Sequence, residues 1–394
     1  MNENKKLRVV YVADQSLNGG ASEALLEIVC GLRDLGLVDP IVMTAFNGAL
    51  EKRLQEKDIQ FVRTGHRQFA YDLPGVGYEK VFFKCLRPVY IILYRLFNLY
   101  AIYKADRKID WKHVDLVHTN VNRNDIGGIM AKKYGIPHIW HLREHGNKDF
   151  ELKFNRKNPI QYMKNLTTEF IAISDSVANE WINKGIDANK ITLIYDGDDL
   201  ERFKTHQFRQ DTILKIVMMG AICPAKGQIL LLEAIINLPK KIREHVSVDF
   251  YGSGSRKYIN SLKNHCTMHN LSLINFHDYT NMDDILGIYD IGVNCSRNEG
   301  FGRVTVEYMA TGLCTVAFDS GATPELIENG VDGILFQSPS ELSDILKELY
   351  YNRERLETIA QKGMETAKRR FNISDYLCKI YSLYMRTKEN KAES

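Results

Sequence analysis

Strand-length apolar runs alternate with helix-length amphipathic segments along most of the chain, which commits it to repeated βα units and parallel sheets. Strands buried on both faces read as near-continuous Val/Ile/Leu runs, and Leu7-Arg8-Val9-Val10-Tyr11-Val12 and Ile216-Val217-Met218-Met219 have that form. Strands are predicted in the first half at residues 7–13, 40–44, 60–63, 116–118, 138–140 and 170–173. In the second half they are predicted at 192–195, 215–219, 247–251, 273–276, 291–294, 315–318 and 334–336. Each half opens with a strand, a glycine-containing loop and a helix: Asn18-Gly19-Gly20-Ala21 in the first, Gly220 to Gly227 in the second. That repetition predicts an α/β fold with a doubly wound parallel sheet built twice. The boundary is expected near residues 195–210, where Tyr195-Asp196-Gly197-Asp198-Asp199-Leu200 is turn-rich and a polar run, 204–211, follows. A chain of 394 residues suits two such domains. The charged tail, 387–394, is expected to fray.

With 44% hydrophobic and 26% charged residues, the chain can bury a sizeable core without disulfides or metals. Its seven cysteines (Cys30, Cys85, Cys223, Cys266, Cys295, Cys314 and Cys378) are odd in number, scattered and free of any C-x-x-C pair. This argues against a disulfide framework or a zinc site and for a reducing compartment. No secretory apolar region follows Met1; a polar lead, 2–6, runs straight into the first strand, so a cytoplasmic location is expected. A net charge of +3 does not suggest nucleic acid.

The stretch 79–108 breaks the pattern. An apolar, aromatic segment from Pro88 to Tyr103 is mixed with Lys80, Lys84, Arg87, Arg95, Lys104, Arg107 and Lys108. Interrupted by Arg95 and Asn98, it is too short and too polar to span a membrane. Two readings stay open: an amphipathic helix packed on the sheet, or an interfacial helix whose apolar face enters lipid while its cations meet anionic headgroups. Clustering of Tyr and Trp111 with the cations is what the second requires.

The strongest chemical signal is Glu299-Gly300-Phe301-Gly302-Arg303-Val304-Thr305-Val306-Glu307, which follows a predicted strand and opens a helix. Glycines there let backbone N–H groups approach a ligand, and a first helical turn has N–H groups to spare. With the macrodipole, this makes an anion seat suited to a diphosphate. Glu307, about a turn and a half into the helix, flanks the seat and can accept from ribose hydroxyls; Glu299 precedes the loop, where a transferred sugar would lie. The bland alternative is a Gly-rich turn with two solvated carboxylates. Gly252-Ser253-Gly254 after a strand suggests a nicotinamide or flavin oxidoreductase, but the third glycine and the distal acid are missing. Asp198 and Asp199 suggest a metal but sit in a turn.

Glu299 and Glu307 bracket seven residues, and this resembles the E-x7-E motif of the retaining GT-4 family of glycosyltransferases. The similarity continues through Tyr308-Met309-Ala310-Thr311-Gly312, Val316-Ala317, Gly321-Ala322-Thr323-Pro324-Glu325, Asn329-Gly330 and Asp332-Gly333. Upstream, Asn18-Gly19-Gly20-Ala21-Ser22-Glu23 resembles the family's first glycine loop, and Lys226-Gly227-Gln228 its phosphate-binding lysine turn. Asp196 to Phe203 is similar to its "N-G-v-D-x-x-x-F" hinge, with Asp196 replacing Asn.

The resemblance implies the GT-B fold, two Rossmann-like doubly wound parallel-sheet domains facing a central cleft. It implies an acceptor-binding domain at 1–200, a nucleotide-sugar-binding domain at 201–375 and a C-terminal helix or tail at 376–394 packing back on the first. Lys226 would neutralise the donor diphosphate. Backbone N–H groups of Phe301, Gly302 and Arg303 would meet phosphates and sugar, with Val304 and Thr305 lining the pocket and Glu307 holding the ribose. The base would lie against His277-Asp278-Tyr279-Thr280, and Gly19 and Gly20 would let the first domain close over the phosphates. The loops His118-Thr119-Asn120 and Trp140 to His145 stand at strand carboxyl ends, where α/β sheets bind ligands. The family has a functional His in the second loop, often as H-x-H-E; here the run is His141-x-Arg143-Glu144. His141 and Arg143 are expected to face sugar and acceptor, with His118, Asn120 and Glu144 supporting. Another departure is Ala221, where the family has Arg in "G-R-x-x-x-x-K-G", so one diphosphate cation is missing unless Arg303 reaches in.

The implied activity is metal-independent, retaining transfer of a hexose or N-acetylhexosamine with Glu299, Lys226, His141 and Arg143 as the catalytic set and no cofactor. UDP-sugars are the first choice of donor and GDP-mannose the second. A saccharide or lipid-linked saccharide is the expected acceptor, in envelope or exopolysaccharide synthesis, with peripheral contact to an anionic membrane through 79–108. The alternatives are a nucleotide-sugar-binding accessory subunit of a partner transferase and a sugar-nucleotide epimerase or hydrolase.

Overall fold

The computed structural model describes residues 6–13, 19–72, 78–146, 152–207 and 212–392. Asn18 of the first glycine loop, the end of the polar run at 208–211 and the side chains of Lys80 and Lys84 lie outside the described residues. The chain forms two compact units, one of Met1–Gly197 with Ile373–Ser394 and one of Asp198–Asn372.

The first unit carries seven parallel strands: β1 (Leu7–Val12), β2 (Val38–Thr44), β3 (Gln60–Arg63), β5 (Leu116–Thr119), β6 (His138–Leu142), β8 (Glu169–Ala172) and β9 (Ile191–Leu193). Their order is β3-β2-β1-β5-β6-β8-β9, so the winding reverses between β1 and β5. The strand predicted at 192–195 had been placed with the second half. It is β9, the edge of the first sheet, paired through Ile171↔Thr192 and closed by Ile194 N–H donating to the Ala172 carbonyl. Two three-residue strands, β4 (Ala70–Asp72) and β7 (Leu152–Phe154), form a separate antiparallel ribbon that the sequence reading missed. They are too short to show a period of two.

The last helix, Ile373–Ala392, belongs to the first unit. Tyr376, Leu377, Ile380, Leu383 and Tyr384 fall on one face by helical spacing and are buried with Leu25, Ile28, Val29 and Leu32 of the helix Gly20–Asp34. Gly31 permits this approach, since a Cβ there would stand 2.3 Å from a Leu377 methyl. Helical structure continues to Ala392, and Thr387 is buried, its hydroxyl donating to the Leu383 carbonyl, so fraying does not begin at 387.

Helix Tyr78–Lys108 packs the wrong way round for an ordinary amphipathic helix. Its buried stripe is Tyr94, Asn98, Ala101 and Ala105, spaced four, three and four residues apart. Tyr94 OH donates to the fully buried Asp125, and Asn98 exchanges two bonds with the Arg67 backbone. Leu86, Val89, Ile92, Leu93, Leu96, Phe97, Leu99, Tyr100 and Tyr103 face outward, Leu99 being 63% exposed. The segment does pack on the sheet, through Ala101 and Ala105 buried with Val10, Ile41 and Val62, while most of its large apolar side chains face outward. No helix among the described residues is long and apolar enough to cross a membrane.

The second unit holds six parallel strands, β10 (Leu214–Met219), β11 (Val246–Tyr251), β12 (Ile274–His277), β13 (Ile291–Asn294), β14 (Cys314–Phe318) and β15 (Ile334–Phe336). The order β12-β11-β10-β13-β14-β15 reverses between β10 and β13. Helix Gln228–Asn237 is apolar nearly all round because it is enclosed: Leu230, Leu231, Leu232, Ala234 and Ile235 are all buried between the sheet and helix Pro339–Tyr351.

Candidate functional site

In the second unit the loops after β10 and β13 leave the sheet at its reversal point, the position where open α/β sheets leave a crevice for ligands. The β10 loop ends in the turn Pro224–Lys226 and Gly227, whose φ of 74° suits glycine and starts helix Gln228–Asn237. A Cβ on Gly227 would come within 2.5 Å of the Cys295 carbonyl oxygen, so the lysine turn presses against the end of β13. Across this contact Lys226 Nζ donates to Glu299 Oε1 at 2.5 Å, and the carboxylate is the more buried partner. Asn294 at the end of β13 receives the Ser296 N–H on its Oδ1 and donates from Nδ2 to Thr305 Oγ1 at 3.0 Å, tying loop to helix. Sequence reading had not singled out Asn294.

Helix Arg303–Thr311 begins on Gly302, which has φ of 96°, and no side chain caps it. Phe301 is buried with its ring edge-on to Phe371, so only its backbone can meet a ligand. Thr305 is buried against Asn294 and Val304 is half-buried. Glu307 sits in a charge cluster: Arg202 reaches it at 3.5 Å, Asp198 at 2.9 Å and Asp283 at 3.3 Å. Burial pushes the Glu307 carboxyl above its ordinary range, and Arg303 opposes that shift. Arg303 itself donates to Asp198 at 3.0 Å. Asp198 thus faces two arginines. Tyr279 is brought to none of these groups; it is 68% exposed, beyond the end of β12. Gly252 and Gly254 have a steric explanation, since Cβ atoms there would meet the carbonyl oxygens of Gly220 and Ile222 at 1.8 and 2.1 Å. The G-x-G run is a close packing of two loops. Among the described residues no group of three or more His, Cys, Asp or Glu is placed to hold a metal.

The first unit gathers a second cluster at the ends of β5 and β6. His118 Nε2 lies 3.3 Å from His141 Nδ1, and His118 Nδ1 lies 2.5 Å from the Tyr384 hydroxyl on the last helix. Burial, reinforced by the Arg143 charge, holds both imidazoles well below their ordinary values and hence neutral. His141 Nε2 is buried with no partner among the described residues. Such an orphan costs free energy unless something bonds it.

Three of the expected first-unit residues are bonded within the unit. The Arg143 guanidinium is buried: its Nη1 donates to both Asp196 carboxylate oxygens at 2.9 and 2.7 Å, and its Nε donates to Asn120. Asn120 is consumed at both ends, its Nδ2 donating to the Ala21 carbonyl at 2.7 Å. Glu144 pairs with Arg123 at 2.8 Å. Gly19 and Gly20 are exposed at the start of helix Gly20–Asp34. Asp196, Tyr376 and Tyr384 were missed; the two tyrosines come from more than 230 residues away in sequence, beyond any local pattern.

Two family models match the chain, "Glycosyltransferase Family 4" over residues 18–202 and "Glycosyl transferases group 1" over 200–366. Among curated relatives, an uncharacterized glycosyltransferase of Methanocaldococcus jannaschii is 26% identical over 283 residues, 70% of this chain and 76% of its own. Spore coat protein SA of Bacillus subtilis is 26% identical over 54% of this chain and 64% of its own. Among solved structures, Anabaena HepE in complex with UDP and glucose superposes with a TM-score of 0.77 at 21% identity, covering 96% of this chain and all of that one. Sucrose-phosphate synthase from Thermosynechococcus elongatus gives 0.72 at 14% identity, over 97% and 99%. The fold is GT-B, two Rossmann-like α/β domains. The chain belongs to the GT4-type glycosyltransferases.

Proposed function

We propose that the chain transfers a hexose or N-acetylhexosamine from a nucleoside-diphosphate sugar, UDP-linked by preference, to a saccharide or lipid-linked saccharide acceptor, with retention and without a metal. The observation that carries this is the Lys226–Glu299 pair at the β10/β13 reversal, beside an uncapped helix N-terminus. A diphosphate seated there meets a point cation and the positive end of a helix. When the bond from the anomeric carbon to the diphosphate oxygen breaks, its electron pair leaves with the diphosphate, which Lys226 and the helix N–H groups stabilise. The acceptor oxygen then bonds to the same face, and its proton passes to the departing phosphate oxygen. Glu299 accepts from sugar hydroxyls and orients the ring. Glu307 holds the ribose, and the first unit binds the acceptor.

The outward apolar face of helix Tyr78–Lys108 supports work at a membrane surface. Among the described residues ten large hydrophobic or aromatic side chains are exposed on it, and Lys104 and Arg107 at its end sit over Tyr100 and Tyr103. That is the composition of an interfacial helix on anionic lipid, with its rings at headgroup depth. Envelope or exopolysaccharide synthesis at the cytoplasmic face follows as the setting.

Ala221 favours a second reading, an accessory subunit that binds a nucleotide sugar and turns it over weakly. Thermal-shift titration with UDP-, GDP- and ADP-sugars, followed by transfer of labelled sugar to a membrane lipid extract, decides between them. Stabilisation by one donor series with label in lipid supports the transferase. Binding without any transfer selects the accessory role, and no binding in any series removes both.

A further inference from the structure

Beside the outward-facing helix lies a crevice of about 190 Å³ that no part of the donor chemistry uses. Ala45 and Phe46 after β2, His66 to Gln68 after β3 and Asn124 after β5 form one wall. Tyr90, Leu93, Tyr94 and Phe97 of the helix form the other. Three strands thus point their carboxyl ends into it, the side of a parallel sheet on which ligands bind.

Arg67 is the only charged side chain in this lining. Its guanidinium lies over the Phe46 ring at 4.5 Å and the Phe97 ring at 4.9 Å. It is exposed, and among the described residues its side chain meets these two rings and no carboxylate. Two ring faces hold the guanidinium plane while leaving its N–H edge available, the arrangement in which arginine takes a phosphate bidentately. His66 does not compete for an anion: it is buried, its Nδ1 lies 2.8 Å from Thr64 Oγ1, its Nε2 lies 3.2 Å from the Ala13 carbonyl oxygen, and burial pushes its pKa down to about 4. The mouth is apolar. Leu93 is 45% and Phe97 44% exposed, and both continue directly into the uncovered face carrying Leu86, Val89 and Leu96. An anion seat that opens onto a strip of exposed hydrocarbon is complementary to one kind of molecule, a long apolar chain ending in a phosphate.

We propose that this crevice seats the phosphate of a lipid-linked acceptor, Arg67 binding the anion while Leu93 and Phe97 take the first part of the hydrocarbon chain. This rests on the reading above that the acceptor is lipid-linked and names the chemistry by which it is recognised.

Dodecyl phosphate below its micelle concentration is the probe, titrated calorimetrically into the full chain, with dodecyl maltoside and inorganic phosphate as comparators. Wild type is expected to bind dodecyl phosphate saturably and both comparators far more weakly. Arg67→Gln is expected to lose about tenfold or more in affinity and Arg67→Lys part of that, since it keeps the charge but not the bidentate fork, at unchanged melting temperature. Equal affinity of Arg67→Gln and wild type, or equal affinity of wild type for dodecyl maltoside, overturns the seat. UDP-glucose binding in the same samples separates the two readings. Dodecyl phosphate bound through Arg67 without any nucleotide-sugar binding leaves the seat standing and removes the transferase. Donor binding with an unaltered Arg67→Gln titration removes the seat alone.

Discussion

Arg143 and Asp196 are two departures from the family pattern, and they are partners. Arg143 stands where the resemblance has the second His of H-x-H-E, and Asp196 where it has the hinge Asn. In the structure they form one buried pair, Arg143 Nη1 donating to both Asp196 oxygens at 2.9 and 2.7 Å, with the Tyr376 hydroxyl donating to Asp196 Oδ1 at 3.1 Å. The two exchanges make physical sense only together, because a buried guanidinium needs a carboxylate and a buried carboxylate needs a cation.

Arg143→His and Asp196→Asn are each expected to destabilise the chain by about 3–5 kcal/mol, since each strands a buried charge. The double variant is expected to cost clearly less than the sum, with a coupling of roughly 1–3 kcal/mol. Urea denaturation of the four proteins measures this. Additive losses would mean the pair is not a unit.

Gly321 fixes where Glu299 stands. A Cβ on Gly321 would lie 2.6 Å from the Glu299 carbonyl oxygen, which also accepts the Ala322 N–H at 2.9 Å. With φ of 62°, Gly321→Ala carries backbone strain as well. It is expected to cost about 1–2 kcal/mol of stability and to lower kcat more than it raises KM for the donor, by displacing Glu299. A variant with altered KM and unchanged kcat would contradict this positioning role.

Lys226→Ala and Glu299→Gln are each expected to lower turnover about 10²–10³-fold, the scale set by removing one preorganised charge-stabilising group. Circular dichroism should not change, because the pair is only partly buried. Near-normal transfer by both variants would place the reaction elsewhere.

Burial holds His66 and His138 down from 6.5 to about 4. Between pH 6.5 and 4 the unfolded rings bind protons that the folded rings refuse. Stability is therefore full above 6.5 and falls as pH is lowered, by about 1.4 kcal/mol per pH unit for each histidine within that window. His118 and His141, lowered for the same reason, add with the same sign. Urea midpoints at pH 7.5, 6.5, 5.5 and 5.0 test it, and a flat profile would exclude this origin.

Ile92→Glu with Leu96→Glu is expected to abolish co-sedimentation with vesicles containing anionic lipid while leaving the melting temperature within about 1–2 °C, since both side chains are exposed. Wild-type binding should weaken with added salt and be lower on neutral vesicles. If chromatography instead shows a wild-type dimer that the variant disrupts, with no vesicle binding, a second copy covers the face.

The parallel-sheet architecture and the glycine loop that opens helix Arg303–Thr311 were legible in the sequence because both depend on local signals. Continuous apolar runs declare buried parallel strands, and Gly300 and Gly302 between Glu299 and a helix-forming stretch declare a close-approach loop. β4 and β7 left no trace because three residues cannot show a period, and β9 was assigned to the wrong half because apolarity does not say which sheet a strand joins.

What the chain order could not decide was direction and partnership. Composition along 79–108 was equally compatible with an apolar face turned in or out, and only Tyr94 and Asn98 meeting Asp125 and Arg67 turned it out. Arg143 reads as a ligand-facing cation until Asp196, 53 residues on, neutralises it. The reason is physical: backbone preference and hydrophobic period act between neighbours, whereas a buried charge or orphaned polar atom is settled by whatever group the fold delivers to it.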